Sequence, residues 1–164
     1  MEVITLNMDN IKGNLYMGLD CSSKAIHCVW VDDQERFVAE CKWGSKKNTF
    51  EERFLDFCVD FWDSLSKIKV MLVEAAIYIQ NPKATIAIAS VAGVARFACH
   101  INGFDCEFVD NTKWKRDILG KGNASKLEIK EFAIEKWGKD KFPEQDFADA
   151  ACIALWKKRR YVDG

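Results

Sequence analysis

The sequence has few of the residues that would make it a disordered, fibrous or disulfide-stapled protein. Only 2 of its 164 residues are proline, and 49% are hydrophobic, which excludes disordered and fibrous classes. The 7 cysteines are odd in number, scattered and never spaced as Cys-x-x-Cys, which argues against a disulfide framework and a zinc ribbon. We therefore expect reduced thiols in a cytosolic compartment. The chain's histidines, His27 and His100, are interpreted as structural.

The chain also lacks a segment that predicts membrane insertion or secretion. The longest uncharged run, Ala84 to Ala95, is too short to span a bilayer. Met1 to Asn14 contains acids and no apolar core, unlike a signal peptide. We expect 1–14 to be an N-terminal extension and 15–164 to be one domain, which is long enough to bury a core.

The order of the apolar patterns predicts an α/β fold with a mixed five-stranded sheet flanked by helices. Three alternating segments, 15–20, 25–31 and 35–43, lie close enough in sequence to form an antiparallel meander. A continuous apolar run at 69–74 predicts a buried parallel strand, and 104–110 predicts a fifth strand. Helical spacing between and after these strands indicates helical crossovers that follow the meander.

Two helix starts are predicted from capping patterns. Asn48 with Glu51, and Ser125 with Glu128, have the spacing of a capping box, in which each residue satisfies a free backbone N–H of the other. The first pattern predicts the start of the helix that follows the meander, and the second predicts the start of the helix that precedes the last one.

Four carboxylates fall where such a fold would bring them together. Asp20 ends the first strand and Glu74 ends the fourth, and active sites of open α/β sheets lie at that edge. Asp146 and Asp149 are three residues apart on a helix opened by Pro143, so they share one face at about 5 to 6 Å between Cβ atoms. Because this helix is otherwise apolar, the pair predicts a cation site, although acids are also favoured by the dipole of a first helical turn.

These residues occur in an order that resembles the RuvC family of Holliday-junction resolvases, within the ribonuclease H-like nuclease superfamily, and especially its compact phage-type members. The matching positions are Asp20, Glu74 after an apolar strand, and the Asp-x-x-Asp-Ala pattern of 146–150. The basic, Gly-containing segment 115–126 resembles the family's DNA-contacting segment, which implies phosphate contacts for its first and last lysines. The resemblance spans about 15–156 and depends on four motifs in order.

The resemblance implies a metal-dependent endodeoxyribonuclease that hydrolyses phosphodiesters at four-way junctions and leaves 5′-phosphate and 3′-hydroxyl ends. Carboxylate ligands without a Cys or His cluster suit Mg²⁺ or Mn²⁺ rather than zinc, and two such ions can activate water and stabilise the reacting oxygens. We hypothesise that Asp20 bridges two ions and that Glu74 and either Asp146 or Asp149 complete their separate shells. The predicted catalytic residues and metal ligands are Asp20, Glu74, Asp146 and Asp149.

Branched DNA is the predicted partner of the basic segment. A cluster of cations beside a Gly loop favours DNA contact over a merely solvated face. Its members are Lys113, Lys115, Arg116, Lys121 and Lys126. The family's wedge at the junction centre falls on Ile77, with Tyr78 beside it, and Tyr78 is equally interpreted as a packing residue at the start of a helix.

A homodimer is implied by the same resemblance, because RuvC-like resolvases act as pairs on a two-fold symmetric junction. The helix at 83–100 is rich in Ala and Gly. Core packing is the preferred explanation of these small residues, and a subunit interface is the second. The resemblance places the dimer contact on this helix and implies a cytoplasmic protein of a bacterial or phage-infected cell, and it identifies no helicase partner.

Three other functions stay open at this point. Another ribonuclease H-like enzyme, acting on RNA-DNA hybrid or on other branched DNA, would share the fold and the ions. A noncatalytic junction-binding protein would share the fold but lack Mg²⁺-dependent nicking. A sugar-kinase or actin-like ATPase also has a first strand that ends in Asp, but that architecture needs two such domains and this length holds one.

Overall fold

A computed structural model of the chain describes residues 13–22, 25–43, 49–67, 70–74 and 82–162. Its strands are β1 (Leu15–Cys21), β2 (Ile26–Asp32), β3 (Phe37–Trp43), β4 (Val70–Glu74) and β5 (Cys106–Phe108). Its helices are α1 (Phe50–Lys67), α2 (Pro82–Ile101), α3 (Asn111–Leu119), α4 (Lys126–Trp137) and α5 (Gln145–Val162), with a 3-10 turn at Lys139–Lys141. In the described part of the chain, no helix combines the length and the apolar character needed to cross a membrane.

The strands form one sheet in the order β3-β2-β1-β4-β5. β1 and β2 are antiparallel, as are β2 and β3, whereas β4 runs parallel to both β1 and β5. The predicted α/β class is therefore confirmed. Because β1 and β4 are parallel neighbours, with Gly18 opposite Val73, their carboxyl ends lie at the same edge of the sheet.

Helix α5 packs on the central strands β1 and β2. The backbones of β1 and α5 touch at Gly18. A Cβ atom built on this glycine would lie 2.0 Å from the carbonyl oxygen of Ala150 and 2.6 Å from the amide nitrogen of Ala154, so no larger residue fits there. Ala150 and Ala154 are themselves fully buried. Small residues on both elements thus let the helix lie directly against the strand.

The small residues of α2 are used mainly for core packing, as their preferred interpretation predicted. The buried members are Ala87, Ala92, Ala95 and Ala98. Gly93, in contrast, is exposed, and no described atom lies within 4 Å of a Cβ built on it.

The capping predictions are correct for one helix and wrong by one residue for another. At α4, Ser125 and Glu128 form the predicted capping box. At α1 the box is formed by Thr49 and Glu52, whose side chains each accept a hydrogen bond from the other's backbone N–H at 3.2 and 3.1 Å. The predicted cap Asn48 lies outside the described residues.

The turn between β2 and β3 ties that hairpin to the last helices. Glu35 has a φ of 60°, which is uncommon for a residue with a side chain. Its carboxylate lies 2.5 Å from Lys136 Nζ of α4 and 2.9 Å from Arg159 Nε of α5. Its carbonyl oxygen accepts a hydrogen bond from Trp137 Nε1 at 2.7 Å. Trp137 also belongs to α4, so this one turn residue joins the β2–β3 hairpin to both α4 and α5.

We expect Glu35→Gln to lower the free energy of unfolding by about 1 to 3 kcal/mol at pH 7. Hydrogen bonding to Arg159, and also to Lys136, lowers the pKa of Glu35 to about 2, although burial opposes this shift. Because the folded-state pKa is below the ordinary value of 4.5, the stabilisation is present above that pH and is lost as pH falls toward 2.

Urea unfolding of both proteins at pH 7 and pH 3 checks this prediction. The difference between wild type and Glu35→Gln should shrink at pH 3. Exposed Glu135 on α4 supplies a control, since Glu135→Gln should leave stability within about 0.5 kcal/mol. An equal difference at both pH values would contradict the role of the Glu35 charge.

Candidate metal centre and its basic border

Three of the four predicted acids converge at the edge of the sheet. Asp20 is the next-to-last residue of β1, and Asp146 and Asp149 lie in the first turns of α5. Carboxylate oxygens of these three residues all lie within 4.8 Å of one another. Glu74 ends β4, the parallel neighbour of β1, so its backbone reaches the same edge, while its side chain lies outside the described part of the structure.

The contact at Gly18 explains why these acids meet. Gly18 and Asp20 are two residues apart on β1, so they share one face of the sheet. Because α5 lies against Gly18 through Ala150, the turn of helix that carries Asp146 and Asp149 lies over Asp20. The site therefore depends on local spacing within each element and on one close backbone contact between them.

Burial and neighbouring negative charge raise the pKa of two of these carboxylates, Asp20 and Asp149. Burial, and then the negative charges of Asp149 and Asp146, raises the pKa of Asp20 well above its ordinary value, despite the opposing charges of Lys126 and Lys115. Burial raises the pKa of Asp149 to about 6, and the negative charge of Asp146 contributes to this increase. Like charges this close repel unless protons or a cation neutralise them.

The donor atoms at this site fit a hard divalent cation. All three are carboxylate oxygens, the ligands that Mg²⁺, Mn²⁺ and Ca²⁺ prefer. Asp149 Oδ1 is buried and has no hydrogen-bond partner among the described residues. Burial removes the hydration of such an atom, and no hydrogen bond compensates for it. A cation in contact with the oxygen would provide that compensation. The described acids are thus suited to hold a metal ion.

Two of the predicted DNA-binding lysines border the carboxylates. Lys126, the first residue of α4, places its Nζ 3.4 Å from Asp146 Oδ1. Lys115 of α3 is close enough for its charge to lower the pKa of both Asp20 and Asp149, and its Nζ lies 5.6 Å from the centre of the Trp114 ring. Positive charge therefore borders the carboxylate cluster.

The remaining members of the basic segment differ in their surroundings. Lys113 and Arg116 are exposed on α3. Lys121 instead forms an ion pair with Glu128, with Nζ and Oε1 2.5 Å apart, so part of its charge is already neutralised. The predicted junction-contacting residues Ile77 and Tyr78 lie outside the described residues.

His27 lies at the border of the site, which the sequence-based interpretation missed. It pairs with Asp20 across the β1–β2 hairpin and its side chain is 2% exposed. Its Nε2 lies 3.2 Å from Glu144 Oε2, and its Nδ1 lies 3.7 Å from Asp146 Oδ2. Burial lowers the pKa of His27, although hydrogen bonding to Glu144 opposes this. The sequence did contain a signal for this position, because a short hairpin between the first two strands places residues 20 and 27 side by side.

Comparison by sequence relates part of the chain to junction-cleaving enzymes. No protein-family model matches the chain. It is 29% identical over 83 residues to the crossover junction endodeoxyribonuclease RuvC of Francisella tularensis subsp. novicida, and equally to that of Francisella philomiragia. Each match covers 51% of this chain and 48% of the relative, so the chain spans about half the length of the curated relatives it matches.

Comparison by structure covers nearly the whole chain. Thermus thermophilus RuvC matches 91% of this chain and 96% of its own, with a TM-score of 0.75 and 16% identity. The same RuvC in complex with a Holliday junction substrate matches 87% of this chain and 92% of its own, with a TM-score of 0.74 and 16% identity. Fowlpox virus resolvase in complex with Holliday junction DNA matches 90% of this chain and 99% of its own, with a TM-score of 0.57 and 11% identity.

The described residues combine a mixed α/β sheet with a cluster of three carboxylates at one edge of that sheet. At such low identities the structural likeness establishes the fold, which is the RuvC fold. The partial sequence match points to the same family. The resemblance to RuvC resolvases that the sequence motifs predicted is thereby confirmed.

Proposed function

We propose that the chain is a structure-selective endonuclease that hydrolyses DNA phosphodiesters at four-way junctions and leaves 5′-phosphate and 3′-hydroxyl ends. The observation that carries this proposal is the convergence of Asp20, Asp146 and Asp149 within 4.8 Å. The names of the curated relatives support the reaction, and the two neighbours solved with Holliday junction DNA support the substrate. We assign the activity to 15–164, with 1–14 as an extension, in the cytoplasm of a bacterial or phage-infected cell.

Two Mg²⁺ or Mn²⁺ ions are the proposed cofactor. Asp20 faces both acids of α5, so it is the residue we assign to both ions, with Asp146, Asp149 and Glu74 completing their shells. When bound, such a pair of ions supplies a nucleophilic water and stabilises charge on the phosphate and the leaving oxygen. The partnerless buried oxygen of Asp149 supports its role as a ligand.

Lys126 and Lys115 are the proposed phosphate contacts nearest the cleavage site. Lys126 neutralises Asp146 across 3.4 Å in the described structure. Once a cation neutralises that carboxylate, Lys126 is free to bind a phosphate oxygen. Exposed Lys113 and Arg116 extend the basic border along α3, and Lys121 contributes least because Glu128 holds it. Ile77 and Tyr78 are proposed at the junction centre by family resemblance.

We expect Lys115→Ala and Lys126→Ala each to weaken junction binding and to reduce the slope of log affinity against log salt by about 1, because each removes about one phosphate contact. Fluorescence anisotropy over a series of KCl concentrations measures both quantities, in an Asp20→Asn background that prevents cleavage. Lys139→Ala, at an exposed position of the 3-10 turn, is the control. An unchanged salt slope for both lysine variants would contradict their assignment.

A homodimer is proposed through the outer faces of α1 and α2. Large exposed apolar side chains concentrate there, and exposed apolar patches mark interaction surfaces. They are Leu55 and Val59 on α1, and Ile86, Phe97 and Ile101 on α2. On α2 the three residues fall at spacings of eleven and four, which places them on one side of the helix. The proposed contact therefore uses large residues rather than the buried alanines.

We expect Phe97→Glu to convert the dimer into a monomer at micromolar concentration, because an exposed apolar residue at the interface would become a buried charge. Gel filtration with light scattering measures the mass. Leu127→Glu, which also replaces an exposed apolar residue but lies on α4, should leave the dimer intact. A wild-type protein that is only monomeric would contradict the placement of the interface.

Cleavage of a synthetic mobile four-way junction with Mg²⁺, mapped on all four strands, tests the proposed function. We expect paired nicks at symmetric positions in two opposing strands, and weaker cleavage of fork, flap and RNA-DNA hybrid. Junction binding without nicking would indicate a noncatalytic binding protein. Preferred cleavage of hybrid or flap would indicate a different nuclease on the same fold.

A further inference from the structure

A row of polar side chains crosses three strands beneath the start of α5. Asp20 of β1 pairs with His27 of β2, and His27 pairs with Lys42 of β3, so their side chains share one face of the sheet. The His27 ring packs edge to face against Phe147 of α5, with 4.8 Å between ring centres. A buried imidazole thus forms part of the wall around the carboxylate cluster.

Glu144 determines which nitrogen of His27 carries the proton. Its oxygens lie 2.7 and 2.6 Å from Lys42 Nζ, and Oε2 also lies 3.2 Å from His27 Nε2. A carboxylate paired with a lysine is ionised and only accepts hydrogen bonds, so Nε2 is the donor. In the neutral ring, Nδ1 then presents a lone pair.

Nδ1 of His27 lies beside the carboxylate cluster. His27 Nδ1 is buried and has no hydrogen-bond partner among the described residues, and Asp146 Oδ2 lies 3.7 Å away. A lone pair and a carboxylate oxygen that face each other at this distance repel, and a cation between them removes the repulsion. Two ligand atoms of one ion lie about 3.0 to 4.2 Å apart when each is about 2.1 Å from the metal.

We propose that His27 Nδ1 is a ligand of a divalent cation at the Asp20, Asp146 and Asp149 cluster, and that Glu144 holds its ring in the metal-binding tautomer. Carboxylate–imidazole–metal arrangements work in this way, because the carboxylate fixes both the proton and the ring orientation. The inference rests on the proposed metal-dependent function and adds a preference to it. Mg²⁺ favours oxygen ligands, whereas imidazole is a good ligand for first-row transition metals, so His27 shifts the preference toward Mn²⁺.

Electron spin-echo modulation of Mn²⁺ bound to the full chain tests this directly, because it detects nitrogen bonded to the metal. The chain has 2 histidines, and the other, His100, is exposed on the last turn of α2. We expect nitrogen modulation in the wild type and in His100→Gln, and its loss in His27→Gln. We also expect His27→Gln to weaken Mn²⁺ binding about tenfold and to weaken Mg²⁺ binding less, by calorimetry.

Glu144→Gln separates the ligand from the residue that orients it. This variant retains the His27 ring, so nitrogen modulation should persist while Mn²⁺ affinity falls. The wild-type spectrum is decisive without any variant. Bound Mn²⁺ without nitrogen modulation would overturn the role of His27. The proposed function would still be tested independently by the junction cleavage assay. A chain that binds no Mn²⁺ would overturn both the ligand and the proposed metal-dependent function.

Discussion

Asp20→Asn is expected to lower junction cleavage about a thousandfold or more, with junction binding retained. Asp20 faces both acids of α5, so its carboxylate is needed by any cation held between β1 and α5. Removing its charge also removes an electrostatic conflict. Burial and the charges of Asp149 and Asp146 raise the pKa of Asp20 in the folded state. As the pH rises above the unfolded-state pKa of this carboxyl group, ionisation of Asp20 therefore lowers the stability of the fold. In EDTA at pH 8 the variant should therefore melt at a higher temperature than the wild type.

Single-turnover cleavage, anisotropy and thermal melting together check these two opposite effects. Asp146→Asn should lose cleavage to a similar extent. Asp140→Asn, at an exposed position of the 3-10 turn, should change neither cleavage nor melting. Retained cleavage by both Asp20→Asn and Asp146→Asn would contradict the assigned metal centre. A lower melting temperature for metal-free Asp20→Asn would contradict the electrostatic conflict at the site.

The parts of this site that could be predicted from sequence are those governed by local geometry. Asp20 was identifiable because it follows an apolar, alternating run, and Asp146 and Asp149 because three residues of helix place two side chains on one face. The capping box at Ser125 was likewise visible within four residues. Each of these patterns is complete within a single element, so no knowledge of the tertiary structure was needed to recognise it.

The parts that could not be predicted depend on contacts between distant elements. The Glu35 carboxylate joins α4 and α5 at sequence separations of 101 and 124 residues, and a Glu with positive φ is not indicated by turn composition. The pairing of Lys121 with Glu128 depends on how the Gly loop folds back. The position of His27 required the register of the hairpin, because a shift by one residue would have turned its ring to the other face.

Gly18→Ala is expected to cost about 3 to 5 kcal/mol of stability or to prevent folding. Its Cβ would lie 2.0 Å from the carbonyl oxygen of Ala150 and 2.6 Å from the amide nitrogen of Ala154. Both atoms belong to the backbone of α5, so no side chain can rotate away and the helix must move from β1. Because Asp146 and Asp149 move with it, the folded fraction should also lose at least about a hundredfold in cleavage, as expected for a displacement near 1 Å.

Gly93→Ala is the matched control, because Gly93 is a helical glycine with no described atom within 4 Å of the added Cβ. At a protein concentration where the chain is monomeric it should raise stability by about 0.5 to 1 kcal/mol through helix propensity. Dilution below the dimer range is needed because Gly93 shares the side of α2 that carries Ile86 and Phe97. Urea unfolding and Mn²⁺ calorimetry compare the two variants with the wild type. Gly18→Ala should bind Mn²⁺ more weakly even where it is folded, since the distance between Asp20 and the α5 acids depends on this contact. Wild-type stability and Mn²⁺ affinity in Gly18→Ala would show that the close approach of α5 to β1 does not hold the metal centre together.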